Sequence, residues 1–272
     1  MTGLERFIDA KREEMAALER MDENSMRPWQ GIRAPFLQAL KSNVPGLPAV
    51  IAEYKRASPS RGVICGSLEP EEAARQYVGS GANALSVLTE ERYFHGSIDF
   101  LFRMAGTVTE CGRPVPMLRK DFLFHPLQVT ATLATPASAL LLIVRLTPDV
   151  RLLRDLREQA EAGGVEAVVE VFSEHDFALA RESGARIIQV NARDLVSLRV
   201  DRPACLRLAK SCPPRSGELW VAASGMSRRR DLEEAARCGF SAVLVGSALV
   251  EGGKPGKALR RLLTGEEIGH AD

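Results

Sequence analysis

Two acids and two lysines in this 272-residue chain stand where charge is costly. Glu53 and Lys55 follow the apolar run Ala49-Val50-Ile51, and residues two apart on a strand share a face. Opposite charges on an apolar face are expensive to bury unless they pair or meet a charged ligand. A solvated edge strand with a surface ion pair is the plainer reading of these residues alone. Lys120, in Leu118-Arg119-Lys120-Asp121-Phe122, is expected where a strand meets its loop. Partial burial and neighbouring cations there can tune a lysine for general-acid work. The alternative is a solvated lysine beside Asp121. Glu170 interrupts Ala167-Val168-Val169-Glu170-Val171-Phe172, a run so apolar that its carboxylate should be paired or take part in proton transfer. Asn191 and Arg193, in Asn191-Ala192-Arg193-Asp194-Leu195, add an amide that can donate to and accept from a hydroxyl, and a planar fork suited to a carboxylate. That segment also reads as an Asx-turn capped by Asp194. Ser224-Gly225-Met226 and Gly246-Ser247-Ala248 are turns in which glycine lets backbone N–H groups approach a phosphate.

The elements that must position these residues are legible as eight short apolar runs. They are Ala49-Tyr54, Ala84-Leu88, Val115-Leu118, Ala139-Val144, Ala167-Phe172, Arg186-Val190, Leu219-Ser224 and Ala242-Gly246. Their spacing, roughly 20 to 35 residues, leaves room for a helix and two loops between successive strands. Helical stretches are expected at Glu69-Val78, Pro148-Ala162, Ser173-Glu182 and Ser227-Arg237, with Ser173 and Ser227 as N-caps ahead of acids. Gly81, Gly184 and Gly239 fall where left-handed C-caps want glycine. Strands this apolar on both faces belong to a sheet covered on both sides. Eight strand–helix units without a composition break predict one closed parallel (β/α)8 barrel of the TIM type over residues 46–265. Ahead of it, residues 1–45 form an N-terminal helical extension with one helix over Leu4-Arg20.

Composition removes several function classes. A net charge of +1 gives no field for nucleic acid or an anionic membrane. The longest apolar stretch, Ala137 to Val144, is too short to span a bilayer, and Met1 to Arg20 lacks the apolar core of a signal peptide. Cys65, Cys111, Cys205, Cys212 and Cys238 show no paired spacing, which fits reduced thiols in the cytoplasm. His95, His125, His175 and His270 lack metal-ligand spacing, so no metal is expected.

Taken together, Ala52-Glu53-Tyr54-Lys55-Arg56-Ala57-Ser58-Pro59-Ser60-Arg61-Gly62 resembles the first-strand signature of the indole-3-glycerol phosphate synthase family. Pro116-Met117-Leu118-Arg119-Lys120-Asp121-Phe122 resembles its third-strand motif and Asn191-Ala192-Arg193-Asp194-Leu195 its N-x-R-D-L. The resemblance runs over roughly residues 30 to 264. It implies a barrel with an extension packed near its mouth, and closure of 1-(2-carboxyphenylamino)-1-deoxyribulose 5-phosphate to indole-3-glycerol phosphate with loss of carbon dioxide and water. By the same resemblance Lys120 and Lys55 are the proton donors, in either order, Glu170 is the general base, Glu53 orients Lys55, and Asn191 positions the substrate. Ser58, Phe94, Phe122, Arg193, Ser224, Gly225, Gly246 and Ser247 become the implied substrate contacts. Phe94 and Phe122 would face the anthranilate ring, although a core role fits them nearly as well. The chemistry involves no redox step or electron sink, so no cofactor is expected. The implied partner is a small phosphorylated substrate, with neither nucleic acid nor membrane.

Two positions depart from the family pattern. Strand seven reads Val221-Ala222-Ala223-Ser224-Gly225, with Ala223 where the family usually has glutamate before Ser-Gly, and Gln189 stands where glycine is usual. A synthase that has lost an auxiliary carboxylate is therefore weighed against a paralogue with an altered substrate and against a non-catalytic sugar-phosphate-binding barrel.

Overall fold

The computed structural model describes residues 4–21, 26–41 and 44–265; His270 lies outside them. Eight parallel strands close into a barrel: β1 (Ala49–Tyr54), β2 (Ala84–Leu88), β3 (Met117–Leu123), β4 (Ala139–Ile143), β5 (Glu166–Val171), β6 (Ile187–Asn191), β7 (Leu219–Ala223) and β8 (Ala242–Val245). β1 pairs with both β2 and β8, so closure leaves no barrel edge open. The inner face carries Ile51, Leu118, Leu141, Val168, Ile187, Val221 and Leu244 in one buried cluster. The alternate residues, among them Val50, Leu85, Leu140, Val169, Ile188 and Trp220, pack in a second cluster with the surrounding helices. Both faces are buried, which is why the strands read as largely apolar runs.

Local chemistry ends the helices where expected. Ser173 Oγ accepts the N–H of Asp176 at the start of the helix Glu174–Glu182. Gly81, Gly184 and Gly239 adopt φ of 95°, 86° and 90° just past helix ends.

Three expectations are corrected. The third strand is not Val115-Leu118 but continues to Leu123, so Lys120 lies within it. Its charges alternate faces: Lys120 points inward, while Arg119 and Asp121 are buried on the outer side and satisfied by partners there. The expected single helix Leu4-Arg20 is two, α1 (Glu5–Ala10) and α2 (Arg12–Arg20), broken at Lys11. Lys11 is buried and its Nζ lies 2.6 Å from Asp121 Oδ1 on β3, a contact that overrides local helix propensity. Ser227 is not the N-cap of its helix, which spans Arg229–Arg237 with Arg228 at the cap. Asp231 reaches back instead, accepting the N–H groups of Ser227 and Arg228 at 3.0 and 2.9 Å.

The extension docks on the mouth of the barrel. Phe7 of α1 stacks on Phe122 with ring centroids 4.2 Å apart, and Arg6 donates to the Leu195 carbonyl after β6 at 2.9 Å.

Candidate active site

Every residue named as catalytic or substrate-binding lines one cavity of about 380 Å³ at the carboxyl ends of the strands. That is the end of such barrels where sites are built from loops.

On β1, Glu53 is buried and its Oε1 accepts from Lys55 Nζ at 2.9 Å. Ser86 of β2 faces the other oxygen at 3.5 Å. Burial alone would push the Glu53 carboxyl up, but Lys55, Lys120 and Arg193 outweigh it and hold it below the usual carboxylate range. Glycine at 246 follows from this pair, because a Cβ there would collide with the Glu53 carboxylate and press on Lys55 Nζ.

On the facing wall, Lys120 Nζ lies 3.8 Å from Glu170 Oε2. Gln189 Nε2 donates to the same oxygen, while Glu170 Oε1 is buried without a hydrogen-bond partner. Gln189, read from sequence as a small departure, therefore touches the proposed base.

Asn191 only partly meets its expectation. Its Oδ1 accepts from the Arg193 N–H and from Ser224 Oγ, both at 2.9 Å, so the acceptor is committed and the amide nitrogen is what it has left to offer. The Asx-turn reading also holds, since Asp194 Oδ1 accepts the N–H groups of Val196 and Ser197. Arg193 donates to the Leu198 carbonyl at 2.9 Å and reaches Ser60 at 3.4 Å. Ser58 Oγ is buried at the cavity wall with no partner among the described residues.

Ser224 leaves strand geometry with φ of 70° and Gly225 follows at 78°. The serine's unusual conformation is held by its bond to Asn191. Ser247 opens the short helix Ser247–Val250, so its N–H and that of Ala248 have no partner within that helix. Phe94 is half-buried, 6.2 Å from Phe122. Phe122 backs onto Phe7, so it serves the core and the cavity wall together. Ala223 lies buried on the inner face as the register partner of Asn191.

Residues 4–262 match the family model for indole-3-glycerol phosphate synthase. The chain belongs to that family. Its curated relatives named indole-3-glycerol phosphate synthase include one from Mycolicibacterium vanbaalenii, 41% identical over 267 residues, covering 97% of this chain and 94% of the relative. One from Mycolicibacterium smegmatis is 40% identical with the same coverage, and one from Carboxydothermus hydrogenoformans is 40% identical over 82% of each chain. Solved structures show the fold alone. A thiamine phosphate pyrophosphorylase from Pyrococcus furiosus matches 83% of this chain and 94% of its own length at 16% identity and a TM-score of 0.57. A 3-hexulose-6-phosphate synthase matches 79% of this chain and 99% of its own at 11% identity and 0.59.

The family match reaches further toward the N-terminus than the motifs did, and the site does too: Phe7 lines the cavity. Other lining groups were missed. Arg61 and Glu251 form an ion pair joining two loops of the cavity wall. Glu90 is buried and caps the helix Glu91–Phe94, accepting three backbone N–H groups. Burial drives its carboxyl up, the N–H groups oppose this, and the nearby Asp121 charge adds to the rise. One signal was available: Arg119 and Asp121 alternate with Lys120, so a strand there must bury charge on both faces.

Proposed function

We propose that this chain converts 1-(2-carboxyphenylamino)-1-deoxyribulose 5-phosphate into indole-3-glycerol phosphate, the carboxy-lyase reaction of its family in tryptophan biosynthesis. The observation that carries the assignment is the convergence of Lys120 with Glu170 at 3.8 Å and of Lys55 with Glu53 at 2.9 Å in one cavity. A barrel that only binds sugar phosphate has no use for two lysines and two carboxylates there. Family membership over nearly the whole chain, with relatives near 40% identity, favours the synthase over a changed substrate as well.

The steps follow from charge. The ring carbon bearing the carboxylate attacks the ribulose carbonyl carbon, and negative charge grows on the carbonyl oxygen. Lys120 donates a proton to that oxygen. Carbon dioxide then leaves and its bonding pair restores the aromatic ring. In the dehydration, Glu170 takes a proton from the neighbouring carbon while Lys55 protonates the departing hydroxyl. Glu53, held ionised by its cationic neighbours and bonded to Lys55, keeps that ammonium aimed. Asn191 positions a substrate hydroxyl through its amide nitrogen, and Arg193 offers its fork to the substrate carboxylate. Phe94 and Phe122 face the anthranilate ring. The phosphate sits between the loops after β7 and β8, on the backbone of Gly225, Gly246 and Ser247 with the Ser58 and Ser224 side chains alongside. Residues 46–265 form the catalytic barrel, and the described residues ahead of it belong to an extension that backs its mouth.

The partner is thus a small phosphorylated molecule. No helix among the described residues is long and apolar enough to cross a membrane. The unpaired cysteines support a cytoplasmic setting for the reaction. The test is indole fluorescence on adding the carboxyphenylamino substrate. Steady formation by the unaltered protein and its loss in Glu170→Gln are expected, whereas binding without turnover would restore the binding-protein reading.

A further inference from the structure

Between β5 and β6 the barrel interior holds two buried oxygens without hydrogen-bond partners, Glu170 Oε1 and Gln189 Oε1. The two residues are register partners on adjacent strands, and both are fully buried. Gln189 Nε2 donates to Glu170 Oε2. An amide in so apolar a place, with its carbonyl unsatisfied, is costly to bury. Gln189 lies behind Glu170 rather than on the cavity wall, so whatever it contributes passes through that carboxylate.

We propose that Gln189 is a positioning residue for Glu170, fixing one carboxylate oxygen so that the other meets the carbon-bound proton removed during dehydration. The inference rests on Glu170 being the base of the reaction proposed above. In that step the proton passes from carbon to the carboxylate, the freed pair forms the new double bond, and the hydroxyl departs as water with a lysine proton. An amide serves both states of the carboxyl group. Its NH2 donates to the carboxylate, and a half-turn about its last side-chain bond presents its carbonyl to the acid formed after proton capture. The unsatisfied Gln189 oxygen is the acceptor that second state requires. Other charged groups reach the same cavity: Lys120 from β3, Glu53 and Lys55 from β1 and the residue after it, Arg193 after β6, and Glu90 with Asp121 on the side of α1. The Arg61–Glu251 pair lies farther out on the loops, and β4 and β7 contribute only uncharged Ile143 and Ala223. Among these, Lys120 is the ion paired to Glu170, and Gln189 adds the neutral donor.

The test reads turnover, pH profile and melting together in Gln189→Met and Gln189→Asn. Met keeps the volume and removes the amide; Asn draws the amide back by one carbon. Each should lower kcat about tenfold with KM within about twofold. The acid limb of the kcat profile should move up, because Gln189 meets the ionised carboxylate as it stands and must turn about its last side-chain bond to meet the acid. Melting of Gln189→Met should change little, because the unsatisfied amide oxygen leaves with the side chain while Glu170 Oε2 loses its hydrogen-bond donor. An unaltered kcat and pH profile in either folded variant overturns the inference. So does a rate loss with an unshifted profile and a matching drop in melting temperature, the mark of a purely structural residue. Glu170→Gln separates the two layers. If it stays active, the base assignment itself fails; if it is inactive while Gln189→Met and Gln189→Asn behave as the parent, the positioning role alone fails.

Discussion

At the scale of single residues the site is a set of charges held apart by small distances, and each can be removed one at a time. Lys120→Met deletes an ammonium at the cavity wall but keeps most of the stem's packing. Indole formation should fall by about 10² to 10⁴ while the melting temperature holds. Parent-like activity would take Lys120 out of the mechanism. Ser247→Glu places a negative charge beside the N–H groups that open the helix after β8, and KM for the phosphorylated substrate should rise sharply with kcat less affected. An unchanged KM would put the phosphate elsewhere. Ala223 is the telling departure: an inner-face methyl beside Asn191, at the rim of a cavity containing Lys55, Lys120 and Arg193. Ala223→Glu should restore a charge that orients a lysine and raise kcat roughly tenfold, about 1.4 kcal/mol of transition-state stabilisation. A destabilised variant with no gain would mean that the wall has been rebuilt around alanine.

At the scale of elements, the contacts that matter join β3 to the extension. Asp121 faces away from the cavity centre yet binds Lys11 of the extension at 2.6 Å and Arg119 at 3.0 Å, and Arg119 in turn reaches Glu14 of α2. The strand that carries Lys120 is thereby clamped from behind, while Phe7 clamps Phe122 from above. Phe7→Ala should cost about 3 kcal/mol in denaturant melts, and it should raise KM because Phe122 loses its backing. A loss of stability with unchanged KM would confine Phe7 to packing. These are the elements the sequence hid. A strand whose two faces both carry charge has no period-2 apolar signal, so the sequence reading ends β3 at Leu118, two residues before Lys120. The break at Lys11 was equally invisible, because Leu4-Arg20 is helix-forming throughout and only the distant Asp121 interrupts it. Gln189 was visible as an oddity, but its contact with Glu170 requires the register of β5 on β6, which no local pattern reports.

At the scale of the whole molecule the closed barrel was legible, because eight runs buried on both faces admit few other architectures. What the charges do collectively was not legible, and it gives the molecule a definite pH response. Burial opposes the charge on Asp121, yet Lys11 and Arg119 overcome it and hold that carboxyl far below its ordinary range; Glu53 is held down in the same sense by Lys55, Lys120 and Arg193. Burial likewise opposes the Lys11 charge, and Asp121 with Glu14 reverses it, so the ammonium titrates above its usual value. Depressed carboxylates stabilise fully above their unfolded pKa, about 4, and lose that contribution as pH falls toward their folded values. A raised lysine stabilises fully below its unfolded pKa, about 10.4, and loses the contribution as pH climbs through its folded value. Burial also pushes the Cys205 thiol up to about 12, so it too favours the folded state less as pH rises past the ordinary thiol range. Melting temperature should therefore be flat between about pH 5 and pH 8 and fall on both sides. Asp121→Asn isolates the acid side. It leaves Lys11 and Arg119 buried with one fewer anion, a loss of about 3 kcal/mol, or roughly 6 to 12 °C for a chain of this size. That deficit should be widest on the plateau and should shrink as pH drops below 4, because the parent then protonates the carboxylate that the variant never had. A gap that stays constant from pH 7 to pH 2 would show that Asp121 contributes shape rather than charge to the clamp behind Lys120.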